Sequence, residues 1–274
     1  MLGAIIGDIA GSKYEFNNIR HTNFETIGED CFFTDDTVCT VACMDWLLHA
    51  EKRNKQTAVQ YLQKWTRRYP NAGYGGRFRN WVFSNDPKPY GSYGNGSAMR
   101  ISPVAWAAKD IKELMDLVDD FTCITHNHPE GIKGAFVTAV CIYDALQGKN
   151  KDEIKEHVIH AYPEIDSFDY ETLRKTYRFN ETCQQSVPQA IYCFLISNDF
   201  EDCVKKTISI GGDCDTTAAI SCAIAEAYYK KIPATIVEKA MRKLPKEMIT
   251  IIDEFDLKYG KRGLIYKYDY KNSY

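Results

Sequence analysis

The amino-acid sequence predicts an all-α fold, and three observations support that prediction. Apolar residues recur at helical spacing along most of the chain, and glycines and prolines stand where such helices would begin or end. No series of alternating apolar and polar residues predicts a sheet. The chain of 274 residues can bury a large core, and no break in composition marks a boundary. We therefore expect a single domain spanning residues 1–274.

The first helices are predicted in the N-terminal part of the chain. Gly3, Gly7 and Gly11 recur every four residues, which gives a smooth stripe where another helix could pack closely. Apolar side chains then share one helical face over residues 39–50. Residues 69–98 are rich in glycine and proline and predict a long loop, of the kind that often has a function.

Further helices are predicted in the second half. Residues 132–146 have helical spacing between a proline and a glycine, and residues 220–227 repeat the pattern. Residues 160–188 show no clear period and predict a second loop, and the lysine- and tyrosine-rich residues 259–274 predict a packed or frayed terminus. Three prolines precede additional helical patterns, where proline suits the first turn: Pro188, Pro233 and Pro245.

Composition and charge argue against several classes of protein. The formal net charge is −3, so bulk electrostatics does not favour nucleic acid as a partner. No apolar stretch approaches the length that spans a bilayer, and the N-terminus lacks the basic start of a signal peptide. The ten cysteines form no Cys-x-x-Cys pair, which favours buried free thiols over disulfides or zinc. We expect a cytoplasmic monomer that does not associate with membranes.

Two acidic motifs of the same build lie near the ends of the chain. They are Thr34-Asp35-Asp36-Thr37 and Gly211-Gly212-Asp213-Cys214-Asp215-Thr216-Thr217. Either motif alone is typical of a capped helix start, where carboxylates suit the positive end of the helix dipole. Two carboxylates about 4 Å apart repel by about 4 kcal/mol at an effective dielectric of about 20, so a fold that joined the motifs would need cations. Oxygen ligands without thiolate or imidazole favour Mg²⁺, Mn²⁺ or Ca²⁺ over zinc.

Two further segments are candidates for ligand contact. Gly94-Asn95-Gly96-Ser97-Ala98-Met99-Arg100 could present backbone N–H groups to phosphate oxygens, although it lacks the lysine of a P-loop. Thr125-His126-Asn127-His128-Pro129 stands at a predicted helix start and lacks the further ligands of a zinc site. Each segment is also compatible with an ordinary loop or cap. By themselves, Glu15 would be a surface glutamate and Asp8 a cap or a group behind the ligands.

Together these segments resemble the ADP-ribosylglycohydrolase family, and they follow the family's order along nearly the whole chain. The opening segment with Glu15 resembles the family's N-terminal segment, and the two acidic motifs resemble its metal motifs. The glycine-rich segment resembles its substrate loop, and the histidine segment has its counterpart as well. The helix after the second motif departs from the family pattern, since small residues are usual where Glu226 and Lys230 stand here. We expect a difference in packing at those two positions.

The resemblance implies a compact helical domain with two Mg²⁺ or Mn²⁺ ions in a central cleft. The family's metal-ligand positions are occupied by Glu15, Thr34, Asp35, Asp36, Asp213, Asp215 and Thr216. Substrate-binding positions are assigned to Gly94, Asn95, Gly96, Ser97, Met99 and His126. The catalytic candidates are Glu15, Asp35 and Asp36, with Glu15 as a mobile ligand or base and Asp35 as the residue that orients the attacking water.

The activity that the resemblance implies is hydrolysis of the glycosidic bond between ADP-ribose and a modified acceptor. The expected partner is an ADP-ribosylated protein or a small-molecule ADP-ribose conjugate, with ADP-ribosyl-arginine as the best candidate. Serine-linked ADP-ribose, O-acetyl-ADP-ribose and ADP-ribose on a nucleic-acid base stay open. Two other functions also stay open. One is a two-metal phosphohydrolase of nucleotides or dinucleotides, and the other is a non-catalytic module that binds ADP-ribose.

Overall fold

The structure, a computed structural model, describes residues 2–260, and their regular elements are helices. No strand forms within this range, where an isolated antiparallel bridge joins Gly94 to Thr182. The all-α prediction is confirmed. The α-helices are α1 (Leu2–Gly11), α2 (Asp35–His49), α3 (Lys55–Arg68), α4 (Gly76–Phe83), α5 (Gly96–Met99), α6 (Ser102–Ala107), α7 (Ile111–Thr122), α8 (Pro129–Leu146), α9 (Lys151–Ala161), α10 (Tyr170–Thr176), α11 (Cys183–Leu195), α12 (Phe200–Ser209), α13 (Cys214–Tyr229), α14 (Ala234–Met241) and α15 (Lys246–Tyr259). Short 3-10 helices span Ser12–Tyr14 and Pro163–Ser167.

Helices α1 and α13 are packed against each other in the interior, and every residue of α1 is buried. The glycine stripe of α1 is the surface of contact. A Cβ atom added at any of its three glycines would lie 2.2–2.5 Å from a backbone atom of α13, at Cys222, Ala218 or Asp215. Glycine alone leaves room for this approach. The close packing predicted from the four-residue spacing is therefore present, and it joins the start of the chain to the second acidic motif.

The crossing of α1 and α13 gives a stability prediction. We expect Gly7→Ala to destabilise the protein by about 3 kcal/mol, the upper end for overpacking, because the new methyl group would meet the backbone of Ala218. For a chain of this size that lowers the melting temperature by about 6–12 °C in calorimetry. Gly76→Ala is the control, since nothing lies within 4 Å of a Cβ there. Equal melting temperatures for the two variants would contradict a tight crossing.

Glu226 explains the predicted difference in packing on α13. Its carboxylate is fully buried and accepts hydrogen bonds from the backbone N–H groups of Leu2 and Gly3, at 3.2 and 2.7 Å. These donors belong to the first turn of α1, where the helix itself offers no acceptor. Glu226 therefore caps α1 from α13. Lys230 ends α13 in the left-handed conformation, with φ of 55°.

Several boundaries predicted from the sequence were wrong. The loop expected over residues 69–98 contains α4, and the one expected over residues 160–188 contains α10 and the start of α11. Pro188 lies inside α11 rather than ahead of it. Cys183, Val187 and Ile191 are fully buried at intervals of four, so packing carries the helix through the proline. Of the predicted terminus, residues 261–274 lie outside the described residues.

Two predictions from composition can be compared with the structure. All ten cysteines are free and buried, as expected. Within residues 2–260, none of the helices combines the length and the apolar character required to cross a bilayer.

Candidate active site

The two acidic motifs meet at one place, although about 180 residues separate them in sequence. Each motif begins a helix, the first at α2 and the second at α13. The Thr216 hydroxyl lies 3.2 Å from a carboxylate oxygen of Asp36, and the Thr34 hydroxyl lies 3.4 Å from one of Asp215. The convergence predicted from the sequence is therefore present in the structure.

The Gly211–Gly212 turn aims the second motif at the first. Both glycines have positive φ, 72° and 77°, which other residues rarely adopt. Asn18 holds the turn by exchanging hydrogen bonds of 2.9 and 2.7 Å with the backbone of Gly212. Side chains of Arg20 and Tyr177 fill the space where Cβ atoms would stand. The turn is thus fixed from outside as well as by its own conformation.

Asp8 is a member of the site that the sequence left undecided. Its buried carboxylate accepts hydrogen bonds from the backbone N–H groups of Thr34 and Thr37, at 2.9 and 3.1 Å, and from both hydroxyls. Asp8 therefore caps α2 from α1. Its position between two glycines that contact α13 was the available clue.

Carboxylates are crowded in this region, and most of them are buried, so that solvent screens their repulsion poorly. Within the described residues, oxygens of Asp8, Asp36 and Asp215 lie within 4.8 Å of one another, and so do those of Glu15, Asp213 and Asp215. Asp215 belongs to both groups. Including the partly exposed Asp35, six carboxylates face one another here.

Burial raises the pKa of each carboxyl group, and neighbouring carboxylates add to the effect at Glu15, Asp35, Asp36 and Asp215. Burial and the repulsion of Asp213 raise the pKa of Glu15 to about 7, and burial and Asp8 raise that of Asp35 to about 8. Burial raises the pKa of Asp8 to about 6, against the lowering effect of its hydrogen bonds from Thr37 and Thr34. Burial followed by neighbouring carboxylates raises the pKa of Asp36 and Asp215 well above the ordinary range. The site as a whole therefore favours the binding of cations.

The donor set fits divalent cations. The Thr34 hydroxyl has one hydrogen, which the carboxylate of Asp8 accepts at 2.7 Å. Carboxylate oxygens of Asp36 and Asp215 lie 3.3 and 3.4 Å from this hydroxyl and cannot donate to it, so its lone pairs remain for a cation. The other oxygen of Asp36 is buried without a hydrogen-bond partner among the described residues. An oxygen-only set of this kind is what Mg²⁺ or Mn²⁺ prefers.

A pocket of about 270 Å³ opens onto the carboxylates and continues to the glycine-rich segment. Eleven of the predicted site residues line it: Glu15, Asp35, Asp36, Gly94, Asn95, Gly96, Met99, His126, Asp213, Asp215 and Thr216. Two others are not part of its wall. Thr34 is buried among the carboxylates, and the Ser97 hydroxyl donates to the backbone oxygen of Gly131 at 2.8 Å. Any contact of Ser97 with a ligand would have to come from its backbone.

Asn95 connects the pocket's two ends. Its side-chain amide donates to Asp213 at 2.7 Å and to the Ser186 hydroxyl at 3.1 Å. Its backbone N–H donates to the carbonyl of Glu181 at 2.7 Å. The glycine-rich segment is therefore tied directly to the second acidic motif.

Comparison with known proteins decides the family. The sequence profile described as ADP-ribosylglycohydrolase matches residues 1–263. The chain belongs to the ADP-ribosylglycohydrolase family. A solved structure of an ADP-ribosylglycohydrolase-related protein complex has a TM-score of 0.69 at 22% identity and covers 93% of this chain and 94% of its own, which shows the shared fold.

Curated relatives of this glycohydrolase are similar along most of their length. The ADP-ribosylhydrolase ARH3 of Homo sapiens is 26% identical over 305 residues, covering 84% of each chain. The ADP-ribosylarginine hydrolase Tri1 of Pseudomonas putida is also 26% identical, covering 96% of this chain and 81% of its own. The predicted family and the predicted class of enzyme are thus confirmed.

The glycohydrolase pocket also has walls to which the sequence assigned no role in binding. Tyr90, Phe179 and Glu181 lie outside every candidate segment, whereas Arg77 and Arg100 belong to glycine-rich segments considered as ligand contacts. Arg100 ends the glycine-rich segment, so its place in that motif was a usable clue. Phe179 and Glu181 come from a stretch without any pattern and are brought in by the bridge between Gly94 and Thr182.

Proposed function

We propose that this protein is a metal-dependent hydrolase that cleaves the glycosidic bond between ADP-ribose and arginine on a modified protein, releasing ADP-ribose. The observation that carries the proposal is the convergence of both acidic motifs in one pocket beside the glycine-rich segment. Family membership supports the reaction class, and the grouping of the carboxylates supports the choice of residues.

The proposed ligands of two Mg²⁺ or Mn²⁺ ions are Glu15, Thr34, Asp35, Asp36, Asp213, Asp215 and Thr216. Two groups of acidic oxygens that share Asp215 are consistent with two adjacent ions. Divalent ions bound there supply Lewis acidity to the substrate and the attacking water. They also offset most of the negative charge of the six carboxylates, Asp8 included.

Glu15 is our candidate for the base. It is partly exposed at the pocket, where its carboxylate can take a proton from the attacking water. Water oxygen bonds to the anomeric carbon while the bond from that carbon to the guanidino nitrogen breaks. The electron pair of the broken bond leaves with the nitrogen. One proton of the water passes to Glu15 and from there to the leaving nitrogen, while the other stays on the oxygen as the anomeric hydroxyl of ADP-ribose.

The proposed positions of ribose and diphosphate follow from the shape of the pocket. Asp35 orients the water. Asn95, which joins the glycine-rich segment to Asp213, is placed to bind a ribose hydroxyl. The backbone of Gly94, Gly96 and Ser97, with Met99 and His126 beside it, receives the diphosphate.

An arginine acceptor is supported by the mouth of the pocket and by one relative. Glu15 and Glu181 line the pocket, and Phe179 lies beside them with its ring stacked on Phe16, 5.7 Å between centroids. Carboxylates and exposed aromatic rings are the groups that bind a guanidinium. The relative Tri1 carries the name ADP-ribosylarginine hydrolase. A monomer in the cytoplasm, without nucleic acid as a partner, remains part of the proposal.

The test is a panel of defined ADP-ribosylated substrates, each incubated with and without Mg²⁺ or Mn²⁺, with the products identified by mass spectrometry. We expect intact ADP-ribose from ADP-ribosyl-arginine only when metal is present. AMP as the product would indicate a phosphohydrolase. Metal-dependent binding of ADP-ribose in calorimetry, without turnover of any substrate, would indicate a binding module.

A further inference from the structure

Arg100 is a buried charge at the pocket whose contacts are unusual. It is 1% exposed, and its guanidinium lies between the rings of Phe78 and Phe121, 5.7 and 5.6 Å from their centroids. Its Nε has no hydrogen-bond partner within residues 2–260, and its short side-chain hydrogen bond runs from Nη2 to the Thr125 hydroxyl at 2.7 Å. Burying a guanidinium costs free energy, and this cost indicates that the contacts of Arg100 have a role in the site.

The hydrogen of the Thr125 hydroxyl has one acceptor available. Thr125 is fully buried, and its oxygen contacts Arg100 Nη2 and His126 Nδ1, each at 2.7 Å. The guanidinium can only donate. If His126 Nδ1 also carried a hydrogen, the hydroxyl hydrogen would be buried with no acceptor among the described residues. The count is satisfied when Thr125 accepts from Arg100 and donates to Nδ1.

The other ring nitrogen of His126 faces the glycine-rich segment. Nε2 lies 3.7 and 3.4 Å from the positions that Cβ atoms would occupy at Gly94 and Gly96. His126 lines the pocket at this point. With Nδ1 as an acceptor, a neutral imidazole carries its proton on Nε2, beside the backbone that we assign to the diphosphate.

We propose that Arg100 acts through Thr125 as a positioning residue, which holds His126 as the neutral Nε2–H tautomer and presents that N–H to a diphosphate oxygen. The identity of the anion rests on the proposed function, whereas the tautomer does not. Burial and the positive charge of Arg100 hold the pKa of His126 well below its usual range, in keeping with a neutral ring.

The tautomer can be measured directly. Long-range ¹H–¹⁵N NMR of protein labelled at histidine distinguishes the two tautomers, and His126→Gln identifies the signal among the six histidines. We expect Nε2–H in the wild-type protein and in Thr125→Ser, which keeps the hydroxyl. Arg100→Met should shift the ring toward Nδ1–H, because Thr125 could then accept from Nδ1.

Binding gives the second readout. We expect Thr125→Val to weaken the binding of ADP-ribose in the presence of Mg²⁺ about tenfold in calorimetry, and Thr125→Ser to restore it. Thr122→Val is the matched control, since its buried hydroxyl has no partner among the described residues. That variant should change neither the tautomer nor the affinity.

Three results would overturn the inference. They are an Nδ1–H tautomer in the wild-type protein, an unchanged tautomer in Arg100→Met, and equal losses of affinity in Thr125→Val and Thr122→Val. If ADP-ribose were bound normally but not released from any substrate, the proposed function would be wrong, whereas the role of Arg100 and Thr125 in fixing the His126 tautomer would be unaffected.

Discussion

Asp36→Ala is expected to abolish turnover of ADP-ribosyl-arginine, with a loss of at least about 1,000-fold in kcat/KM. One oxygen of Asp36 lies 3.3 and 3.2 Å from the hydroxyls of Thr34 and Thr216, and the other is buried without a partner among the described residues. Positive charge from bound metal ions stabilises a transition state by several kcal/mol, and the loss of each 1.4 kcal/mol or so lowers the rate tenfold.

The fold of this variant is expected to survive. Asp36 lies in the first turn of α2, where alanine is a good helix former, and its removal relieves repulsion with Asp8 and Asp35. Circular dichroism and the melting temperature without metal should match or exceed those of the wild type. Asp116→Ala serves as the control, since that carboxylate is 67% exposed on α7. Retention of more than about a tenth of the activity by Asp36→Ala would refute its assignment as a metal ligand.

Removal of metal by EDTA should lower the melting temperature by about 5–11 °C at pH 8. A ligand at 100 times its dissociation constant stabilises the native state by about 2.7 kcal/mol, and each kcal/mol corresponds to about 2–4 °C in a chain of this size. Added Mg²⁺ or Mn²⁺ should restore the transition in differential scanning calorimetry. Asp36→Ala should show little response to either treatment.

The size of this EDTA effect should depend on pH. The pKa values of Asp8, Glu15 and Asp35 are raised to about 6, 7 and 8, above the value of about 4 for an unfolded chain. Between pH 4 and 8 or so the folded chain therefore binds more protons than the unfolded one. Its stability without metal must then fall as pH rises through that range. We expect a small EDTA effect near pH 5 and a large one near pH 8; the reverse order would contradict a shared acidic site.

The two acidic motifs could be recognised in the sequence because each of them is local. Paired carboxylates beside threonine at a helix start can be recognised without knowing where the helix lies in the fold. The order of five segments then indicated the family. The cap that Asp8 provides for α2 could not be predicted in this way. It depends on α1 crossing two other helices, and spacing alone showed only that α1 had a smooth face.

Tertiary packing also explains where the predictions from the sequence were wrong or incomplete. Pro188 is a strong local signal for a helix start, yet three buried side chains at intervals of four hold α11 together across it. Arg100 was visible as the end of the glycine-rich segment, but its partner Thr125 belongs to another segment. Likewise Phe179 and Glu181 reach the pocket only through the pairing of Gly94 with Thr182.

The pairing of α1 with α13 has a consequence for synthesis of the chain. The first turn of α1 leaves the ribosome early, but the side chain that caps it follows 223 residues later. At about 5–20 residues per second the wait is about 10–45 s. During that interval Ile5, Ile6 and Ile9, fully buried in the finished protein, lack α13, against which α1 is packed. We therefore expect the apolar face of α1 to depend on chaperones in the nascent chain until α13 has been made.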